Sequence, residues 1–336
     1  MSAKIIFKDK DIKKFISNLT NQNKSLNIKV DREVENIFKN IRNKGDKALF
    51  SYAKKFDECE LNSKNIKISK KKIKFFAKKC PKDVANALLF SASRIKRFHL
   101  YQIPRNYKYK DNKGVVLGSQ WKPINSIGVY IPGGTATYPS SILMNSIPAK
   151  IAGVKRIIMV IPQKNMEINP IIAKAAEIAD VDIIYRVGGA HSIAALTWGT
   201  KSVERVDKIV GPGNIYVTIA KKKVFGDVGI DMIAGPSEIL VVSDKNNNPD
   251  WIAADLLSQA EHDVNSKSIL ITNDLSFAKK VIKSIDLILE KMLRSKIAKK
   301  SWENNGKIII IKNILNSYII INQLAPEHLE LAINKP

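Results

Sequence analysis

A glutamate and a histidine that are adjacent in the sequence could supply acid–base chemistry. Glu327 and His328 lie in the segment Leu324–Leu329. A carboxylate and an imidazole side by side could accept two protons, one from a hydroxyl group and one from a water molecule. The alternative is structural, with Pro326 starting a helix on which Glu327 is exposed and His328 is packed. These two residues alone favour the structural interpretation.

Gln259 and His262 are candidate metal ligands. They follow a segment opened by Pro249 whose apolar residues, such as Ile252 and Leu256, have helical spacing. Residues at i and i+3 emerge on the same helix face, so both side chains could reach one ion. Imidazole is a common zinc ligand, whereas a glutamine carbonyl is an infrequent one. A histidine near a helix end is more often a cap or a surface residue, and two ligands do not complete a zinc site.

Two glycine–proline turns precede these residues and could build a ligand site. The strand predicted at 206–210 ends in the turn Gly211–Gly213, and Asn214 is suited to cap a helix over 215–224. A strand, a tight turn and a helix start together aim free backbone N–H groups at one point, which suits an anionic or polar ligand. Most such turns only connect elements. Ser237 follows the second turn and lies near the beginning of the next predicted strand, which ends at residue 243.

The periodicity of apolar residues indicates the elements that must position these side chains. Helical spacing predicts helices near 31–56 and 82–101, and from Gly114 onward strands and helices alternate. The further strands are predicted at 127–131, 156–161, 182–187, 268–272 and 307–311, and the further helices near 140–152, 170–179, 190–198 and 277–293. Such alternation predicts an α/β fold with mainly parallel sheets and with sites at the carboxyl ends of the strands. No GxGxxG segment follows a strand, so the standard dinucleotide-binding sequence is absent.

The strong positive charge of the chain does not have the pattern of a nucleic-acid-binding surface. The chain has 336 residues, 45% of them hydrophobic, and a formal net charge of +25. Only nine of its 56 basic residues are arginine, and the lysines are spread along the chain; a nucleic-acid-binding protein is expected to cluster its basic residues, with arginine or aromatic residues among them. Its two cysteines, Cys59 and Cys80, form neither a disulfide framework nor a CxxC metal site. No segment has the length of a membrane span, so we expect a cytoplasmic protein with neither a membrane nor a nucleic-acid partner.

Taken together, the motifs resemble those of one family, the L-histidinol dehydrogenases, which are NAD-dependent, zinc-containing enzymes of histidine biosynthesis. The matching segments follow the family's order over most of the chain: 128–134, 148–153, 187–190, 206–214, 234–238, 255–262 and 326–329. The resemblance implies two Rossmann-like domains, one interrupted by the other, in a homodimer. The corresponding bounds are an N-terminal arm at 1–27, a discontinuous first domain at 28–127 and 238–336, and a second domain at 128–237 on the cofactor side.

The resemblance also implies catalytic and metal-binding roles. His328 would take the protons in two successive oxidations, of L-histidinol to L-histidinal and then to L-histidine. Glu327 would activate the water that hydrates the aldehyde. Gln259 and His262 would be zinc ligands, and they would contact the substrate together with Ser237 and His328. Zinc in this arrangement orients the substrate through its amine and imidazole.

The implied contacts with NAD are made by Tyr130, His191 and Asn214. At position 191 the family has a glutamine. The histidine found here is shorter and titratable, although it can still donate or accept one hydrogen bond. A weaker contact with NAD is therefore expected at this position.

The family continues beyond the position that matches Pro336. That C-terminal portion carries the remaining zinc ligands, an aspartate and a histidine, and a substrate-binding glutamate, so we expect the 336-residue chain alone to be inactive or nearly so. Two alternatives from other classes are a non-catalytic remnant of the enzyme from a truncated gene and a basic nucleic-acid-binding protein. Histidinol-dependent NADH formation would distinguish the enzyme from the remnant, and salt-sensitive binding to DNA would favour the third interpretation.

Overall fold

Strands and helices alternate through most of the chain. A computed structural model describes residues 4–133, 138–164, 167–233, 235, 237–334 and 336. The strands are β1 (Lys4–Ile6), β2 (Lys67–Ser69), β3 (Tyr107–Lys110), β4 (Val116–Ser119), β5 (Ser126–Tyr130), β6 (Arg156–Val160), β7 (Ile183–Tyr185), β8 (Lys208–Val210), β9 (Gly229–Ile230), β10 (Glu238–Ser243), β11 (Lys267–Thr272), β12 (Lys307–Ile310) and β13 (His328–Ala332). The helices are α1 (Asp9–Lys44), α2 (Asp46–Tyr52), α3 (Lys70–Ala77), α4 (Lys82–Leu100), α5 (Pro139–Ile151), α6 (Pro170–Ile178), α7 (Gly189–Trp198), α8 (Ile215–Val224), α9 (Pro249–Ala260), α10 (Leu275–Lys291), α11 (Ser295–Asn305) and α12 (Ser317–Leu324). A π-helical turn at Ala53–Asp57 follows α2, and a 3-10 turn at Ile314–Asn316 precedes α12.

The predicted fold class, α/β with mainly parallel sheets, is confirmed. The predicted strands from 127 to 311 are all present, each within two residues of its expected bounds. The chain divides into two units, which we call unit 1 (Met1–Leu26 with Gly235–Pro336) and unit 2 (Asn27–Ala234).

Unit 1 is built on a five-stranded parallel sheet in the order β1-β12-β11-β10-β13. Alternate residues of each strand face opposite sides of a sheet. Ile239 and Val241 of β10 pack with apolar residues of α9, α10 and α11 on one face, and Leu240 and Val242 pack with residues of α1 and α12 on the other. Both faces are therefore covered, which explains the continuous apolar run of β10.

Unit 2 is built on a six-stranded sheet in the order β2-β7-β6-β5-β8-β9. All its pairs are parallel except β2 with β7, which is antiparallel. One face packs with α7, α8, α2 and the second half of α1, and the other packs with α3, α4, α5 and α6. Among the described residues, no helix combines the length and apolar character that crossing a bilayer requires.

The division of the chain differs from the predicted domain bounds at two places. Residues 28–127, expected with the C-terminal part, belong to unit 2, because β2 joins its sheet through Lys67 opposite Tyr185 and because α3 and α4 pack on α6. Residues Lys4–Ile6, expected in an arm, pair with β12 at the edge of the unit 1 sheet. Both differences involve strand pairing or packing between segments that are far apart in sequence.

Candidate active site

Glu327 and His328 lie at the amino end of β13, beside the start of β10. In the parallel ladder His328 lies opposite Ile239. The backbone of Glu238 contacts both side chains: its N–H donates to Glu327 Oε2 (3.3 Å), and its carbonyl accepts from His328 Nδ1 (3.1 Å). The carboxylate oxygen and Nδ1 are 3.7 Å apart. One residue of β10 thus orients both predicted acid–base groups.

The contact with the Glu238 carbonyl decides which nitrogen of His328 is free. A carbonyl oxygen only accepts hydrogen bonds, so Nδ1 carries the hydrogen, and Nε2 of the neutral ring remains an acceptor. The side chain is 51% exposed, which leaves this edge of the ring accessible. The alternative of a helix started by Pro326 is wrong, because β13 begins at His328 and pairs with β10 along its whole length.

Ser237 and Glu238 are held in place by a lysine of the neighbouring strand. Lys267 lies opposite Glu238 in the ladder between β10 and β11. Its N–H donates to the Ser237 carbonyl (2.9 Å), and its ammonium group donates to Glu238 Oε1 (2.8 Å). Neither Glu238 nor Lys267 was predicted as a site residue, because their roles depend on a strand pairing that the sequence does not show.

Gln259 and His262 lie at the carboxyl end of α9, as predicted. The helix starts after Asn248, whose side chain accepts from the N–H of Asp250, and it buries Ile252 against the sheet of unit 1. Gln259 is half-buried and His262 is exposed. The N–H of His262 donates to the Gln259 carbonyl (3.1 Å), so the chain continues in a turn past the helix end.

The two residues fit zinc in their donor types but do not form a complete site. An imidazole nitrogen and an amide oxygen can both bind zinc, and zinc sites in proteins usually have three or four protein ligands. Within the described part of the chain, no group of three or more His, Cys, Asp or Glu side chains could hold a metal ion. Among those same residues, no hydrogen bond joins Gln259 or His262 to the side chains of Glu327 and His328.

A pair of carboxyl groups links α9 to β13. Burial raises the pKa of Asp255 and the pKa of Glu330, and the neighbouring Asp255 raises the pKa of Glu330 further. Asp255 lies one helical turn before Gln259, and Glu330 lies two residues after His328 on the same face of its strand. The pair was not predicted, and it joins the element that carries the candidate metal ligands to the one that carries the acid–base residues.

The three residues predicted to bind the cofactor lie around one cavity of unit 2. Tyr130, His191 and Asn214 all line a cavity of about 1350 Å³. This volume exceeds the roughly 300–1,000 Å³ of typical small-molecule pockets. Tyr130 ends β5, and the other two follow β7 and β8, so the cavity lies at the carboxyl ends of neighbouring parallel strands.

Tyr130 is a buried phenol that supports the start of α7. Its hydroxyl oxygen accepts from the N–H of Gly189 at 3.2 Å. Burial raises the pKa of Tyr130 to about 12, so the hydroxyl stays protonated throughout the neutral range. It therefore keeps a hydrogen to donate.

His191 is paired with a buried aspartate that sequence inspection did not indicate. His191 Nε2 lies 3.1 Å from Asp57 Oδ2, and the same oxygen accepts from the N–H of Gly188 at 3.0 Å. The side chains are 1% and 7% exposed. Tyr52 and Phe56 place their rings against the imidazole at centroid distances of 6.0 and 6.1 Å. Asp57 and His191 are too far apart in sequence for any motif to connect them.

Asn214 caps α8, as predicted. Its side-chain oxygen accepts from the N–H groups of Tyr216 (3.1 Å) and Val217 (3.2 Å). In the preceding turn the N–H of Gly211 donates to Asp231 (2.8 Å). The turn was expected to present free N–H groups to a ligand, and three of the N–H groups around it, those of Gly211, Tyr216 and Val217, are engaged within the protein.

Sites were predicted at the carboxyl ends of the strands. The predicted cofactor residues of unit 2 lie there, whereas the predicted residues of unit 1 do not. In unit 1 the predicted residues Ser237, Glu327 and His328 lie at the amino ends of β10 and β13. Gln259 lies at the end of α9, which runs back from the carboxyl edge of the sheet between two parallel strands. Gly134, Ala234 and Pro236, which belong to the matching segments, lie outside the described residues.

Fold and site together define the class of protein: an α/β enzyme with a large ligand cavity on one sheet and an oriented carboxylate–imidazole pair on another. A family model described as histidinol dehydrogenase matches residues 20–336. Histidinol dehydrogenase 1 of Nostoc sp. is 47% identical over 328 residues, which are 98% of this chain and 76% of the relative. Histidinol dehydrogenase of Brucella abortus is 48% identical over 304 residues, which are 90% of this chain and 71% of that protein.

Among solved structures, the crystal structure of histidinol dehydrogenase from Elizabethkingia anophelis matches with a TM-score of 0.84 and 35% identity, covering 99% of this chain and 76% of that one. The chain belongs to the histidinol dehydrogenase family, an oxidoreductase family of histidine biosynthesis. The resemblance found in the sequence is confirmed, and no comparison supports the alternative of a non-catalytic remnant.

Proposed function

We propose that this member of the family oxidises L-histidinol to L-histidinal and then to L-histidine, with NAD as the hydride acceptor and zinc as a bound metal. The observation that carries the proposal is the double contact of Glu238, whose N–H and carbonyl orient Glu327 and His328 at the same edge of the sheet. An alcohol oxidation needs a base for the hydroxyl proton, and a neutral imidazole of fixed tautomer is suited to that task.

In the proposed reaction, Nε2 of His328 takes the hydroxyl proton as hydride leaves the substrate carbon. Nδ1 cannot do so, because its hydrogen is engaged by the Glu238 carbonyl. Glu327 takes a proton from the water that adds to the aldehyde, and the N–H of Glu238 holds the accepting oxygen of Glu327 in place. The resulting hydrate again offers a hydroxyl proton to His328, so one base serves both oxidations.

Gln259 and His262 are proposed to hold zinc through the amide oxygen and an imidazole nitrogen. Bound zinc would orient the substrate through its amine and imidazole groups. Ser237 is proposed to contact the same substrate with its hydroxyl. Since no group of three or more His, Cys, Asp or Glu side chains among the described residues could complete the zinc site, a polypeptide of residues 1–336 is expected to turn over little or no histidinol.

Tyr130, His191 and Asn214 are proposed to bind NAD in the unit 2 cavity, which supplies the electron acceptor that the reaction requires. Their support is that they line one cavity at the carboxyl ends of parallel strands, where α/β folds bind nucleotides. A cytoplasmic homodimer is proposed from the family alone.

The experiment uses an extended polypeptide, in which residues 1–336 are continued by the C-terminal part of the Nostoc relative. With histidinol and zinc it is expected to form NADH, detected by absorbance. His328→Asn keeps an N–H donor near the position of Nδ1 but lacks the base, and it is expected to lower kcat by about 10²–10⁴-fold. Glu290→Gln, an exposed carboxylate of α10, is the control. Wild-type turnover in His328→Asn would contradict the proposed role of His328.

A second substrate separates the roles of the two residues. Glu327→Gln is expected to slow the oxidation of histidinal more than the first oxidation of histidinol, because only the aldehyde must first be hydrated. Equal losses with both substrates would contradict the role given to Glu327.

A further inference from the structure

The start of α7 lies beside the unit 2 cavity. Its first backbone N–H group, that of Gly188, already donates to a carboxylate of the protein. Asp57 Oδ2 accepts from the N–H of Gly188 at 3.0 Å and lies 3.1 Å from His191 Nε2. The next N–H, that of Gly189, donates to the hydroxyl of Tyr130 at 3.2 Å. In many dinucleotide-binding folds a helix start of this kind holds the pyrophosphate. Here an incoming phosphate would meet the Asp57 carboxylate at short range.

The same carboxylate selects the tautomer of a neutral His191 ring. An ionised carboxylate only accepts hydrogen bonds, so Nε2 carries the hydrogen. The other nitrogen, Nδ1, has no hydrogen-bond partner among the described residues. It lies beside the Cα of Gly189, where a Cβ would approach it to 3.2 Å. Gly189 and His191 both line the cavity, and Gly189 has no side chain that would lie against the Nδ1 edge of the ring. The neutral ring therefore offers an acceptor to a ligand.

The ring has no freedom to exchange these roles. Tyr52 and Phe56 lie against it at centroid distances of 6.0 and 6.1 Å, and the side chain is 1% exposed. A rotation that moved Nε2 toward the cavity would break the contact with Asp57 inside a closed environment, where an unpaired polar group is costly.

We propose that Asp57 is a positioning residue of the cofactor site. It fixes His191 as a hydrogen-bond acceptor, and its negative charge keeps phosphate away from the start of α7. An uncharged part of the dinucleotide that carries a hydrogen-bond donor therefore binds there. Carboxamide, amino and ribose hydroxyl groups have this chemistry. The inference rests on the proposed binding of NAD in this cavity, and it adds which part of the molecule meets which residue.

The test is a double-mutant cycle on the 336-residue chain, with NADH binding measured by fluorescence and therefore independent of turnover. Asp57→Asn offers an amide that can donate to Nε2 and so releases the fixed tautomer. It is expected to weaken NADH binding by about 10-fold in the His191 background. In the His191→Gln background the same change is expected to alter binding less than about 2-fold, because a glutamine amide does not need Asp57 to set a tautomer.

Anion competition tests the second half of the proposal. Inorganic pyrophosphate is expected to displace NADH poorly from the wild type and better from Asp57→Asn, since the repelling charge is gone. Asp274→Asn is the matched control, because Asp274 also caps a helix by accepting from Phe277 N (2.6 Å) but lies in unit 1. It is expected to leave both measurements unchanged.

Three outcomes are distinguishable. No NADH binding by the wild type would refute the proposed NAD site itself. Binding that falls equally in both backgrounds would overturn the positioning role of Asp57 and reduce it to a stabilising cap. Strong pyrophosphate competition in the wild type, unchanged by Asp57→Asn, would overturn the exclusion of phosphate from α7. Thermal unfolding of each variant checks that the losses are not due to unfolding.

Discussion

The two histidines given functional roles differ in environment but share a hydrogen-bonding pattern. His328 is 51% exposed and His191 is 1% exposed. Each has one ring nitrogen beside an oxygen that only accepts, the Glu238 carbonyl for His328 and the Asp57 carboxylate for His191. Each neutral ring therefore keeps a single acceptor nitrogen, Nε2 in one and Nδ1 in the other. The difference in exposure agrees with the two proposed roles. A base such as His328 must reach the substrate proton, whereas a buried ring such as that of His191 can only recognise a fixed group.

Tyr130→Phe tests how the phenol supports the cofactor cavity. The change leaves the N–H of Gly189 without its partner, so we expect the free energy of unfolding to fall by about 1–3 kcal/mol and NADH binding to weaken. Because the pKa of Tyr130 is raised to about 12, wild-type NADH affinity should not change through ionisation of this residue between about pH 6 and 9. Urea unfolding and NADH fluorescence measure both effects. Tyr318→Phe, an exposed tyrosine of unit 1, is the control, and equal stability of the two variants would refute the role of the hydroxyl.

At the scale of elements, the Asp255–Glu330 pair ties α9 to β13, and its stability depends on pH. Both folded-state pKa values are raised above the ordinary values of 3.8 and 4.5. The contribution of the pair is therefore fully present below those values and is lost as pH rises through the raised ones. Glu330→Gln keeps a donor at every pH. We expect it to unfold at a higher urea concentration than wild type near pH 7, and at an equal one near pH 4.

The matched control for this pair is Glu290→Gln, an exposed carboxylate of α10 that should leave the pH dependence unchanged. If Glu330→Gln were less stable than wild type near pH 7, the raised pKa values of Asp255 and Glu330 would not govern the stability of this contact, and the prediction would be refuted.

The turn between β8 and α8 supports the cavity through a glycine that no other residue can replace. Gly211 has φ +108°, and a Cβ there would overlap the carbonyl oxygen of Tyr130. Lys221, which is 3% exposed, donates to the Gly211 carbonyl at 2.9 Å and forms an ion pair with Asp231. We expect Gly211→Ala to destabilise the protein by about 2–4 kcal/mol, since backbone strain and overpacking add.

Gly226→Ala is the matched control for Gly211→Ala. Gly226 has φ +111° but nothing within 4 Å of a built Cβ, so it carries the strain without the overlap. We expect it to lose about 1 kcal/mol and to bind NADH as wild type does. Equal losses in the two variants, measured by urea unfolding, would show that the contact with Tyr130 contributes nothing.

Elements with strong local signals could be predicted from the sequence, and their partners could not. Apolar runs and glycine turns located β5 to β8 and β10 to β12, and the helices α8, capped by Asn214, and α9, opened by Pro249, start where expected. The strand β13 was weighed as a helix because Pro326 suggests one, and only pairing with β10 stabilises it as a strand. The family motifs indicated Glu327 and His328, whereas Asp57, Lys267 and Glu330 act through contacts between distant segments. Such contacts leave no spacing to recognise.

In the molecule as a whole, which has a formal net charge of +25, some of the lysines form local ion pairs. Lys70 contacts both Asp180 and Asp182, and Lys223 contacts Asp31 and Glu35. Surface pairs of this kind contribute little stability individually. They do reduce the positive field close to these two lysines.

Zinc binding by residues 1–336 is the last prediction. The described residues offer an imidazole from His262 and an amide oxygen from Gln259, and no group of three or more His, Cys, Asp or Glu side chains among them could hold a metal. Two such ligands hold zinc weakly, since a stable site takes three or four. We therefore expect a polypeptide of residues 1–336 to retain sub-stoichiometric zinc after gel filtration and to form little or no NADH from histidinol.

The extended polypeptide is expected to bind zinc fully, and His262→Ala is expected to abolish that binding. Stoichiometric zinc together with turnover by residues 1–336 would contradict the prediction, and would mean that two ligands and the substrate's own nitrogens suffice to hold the metal.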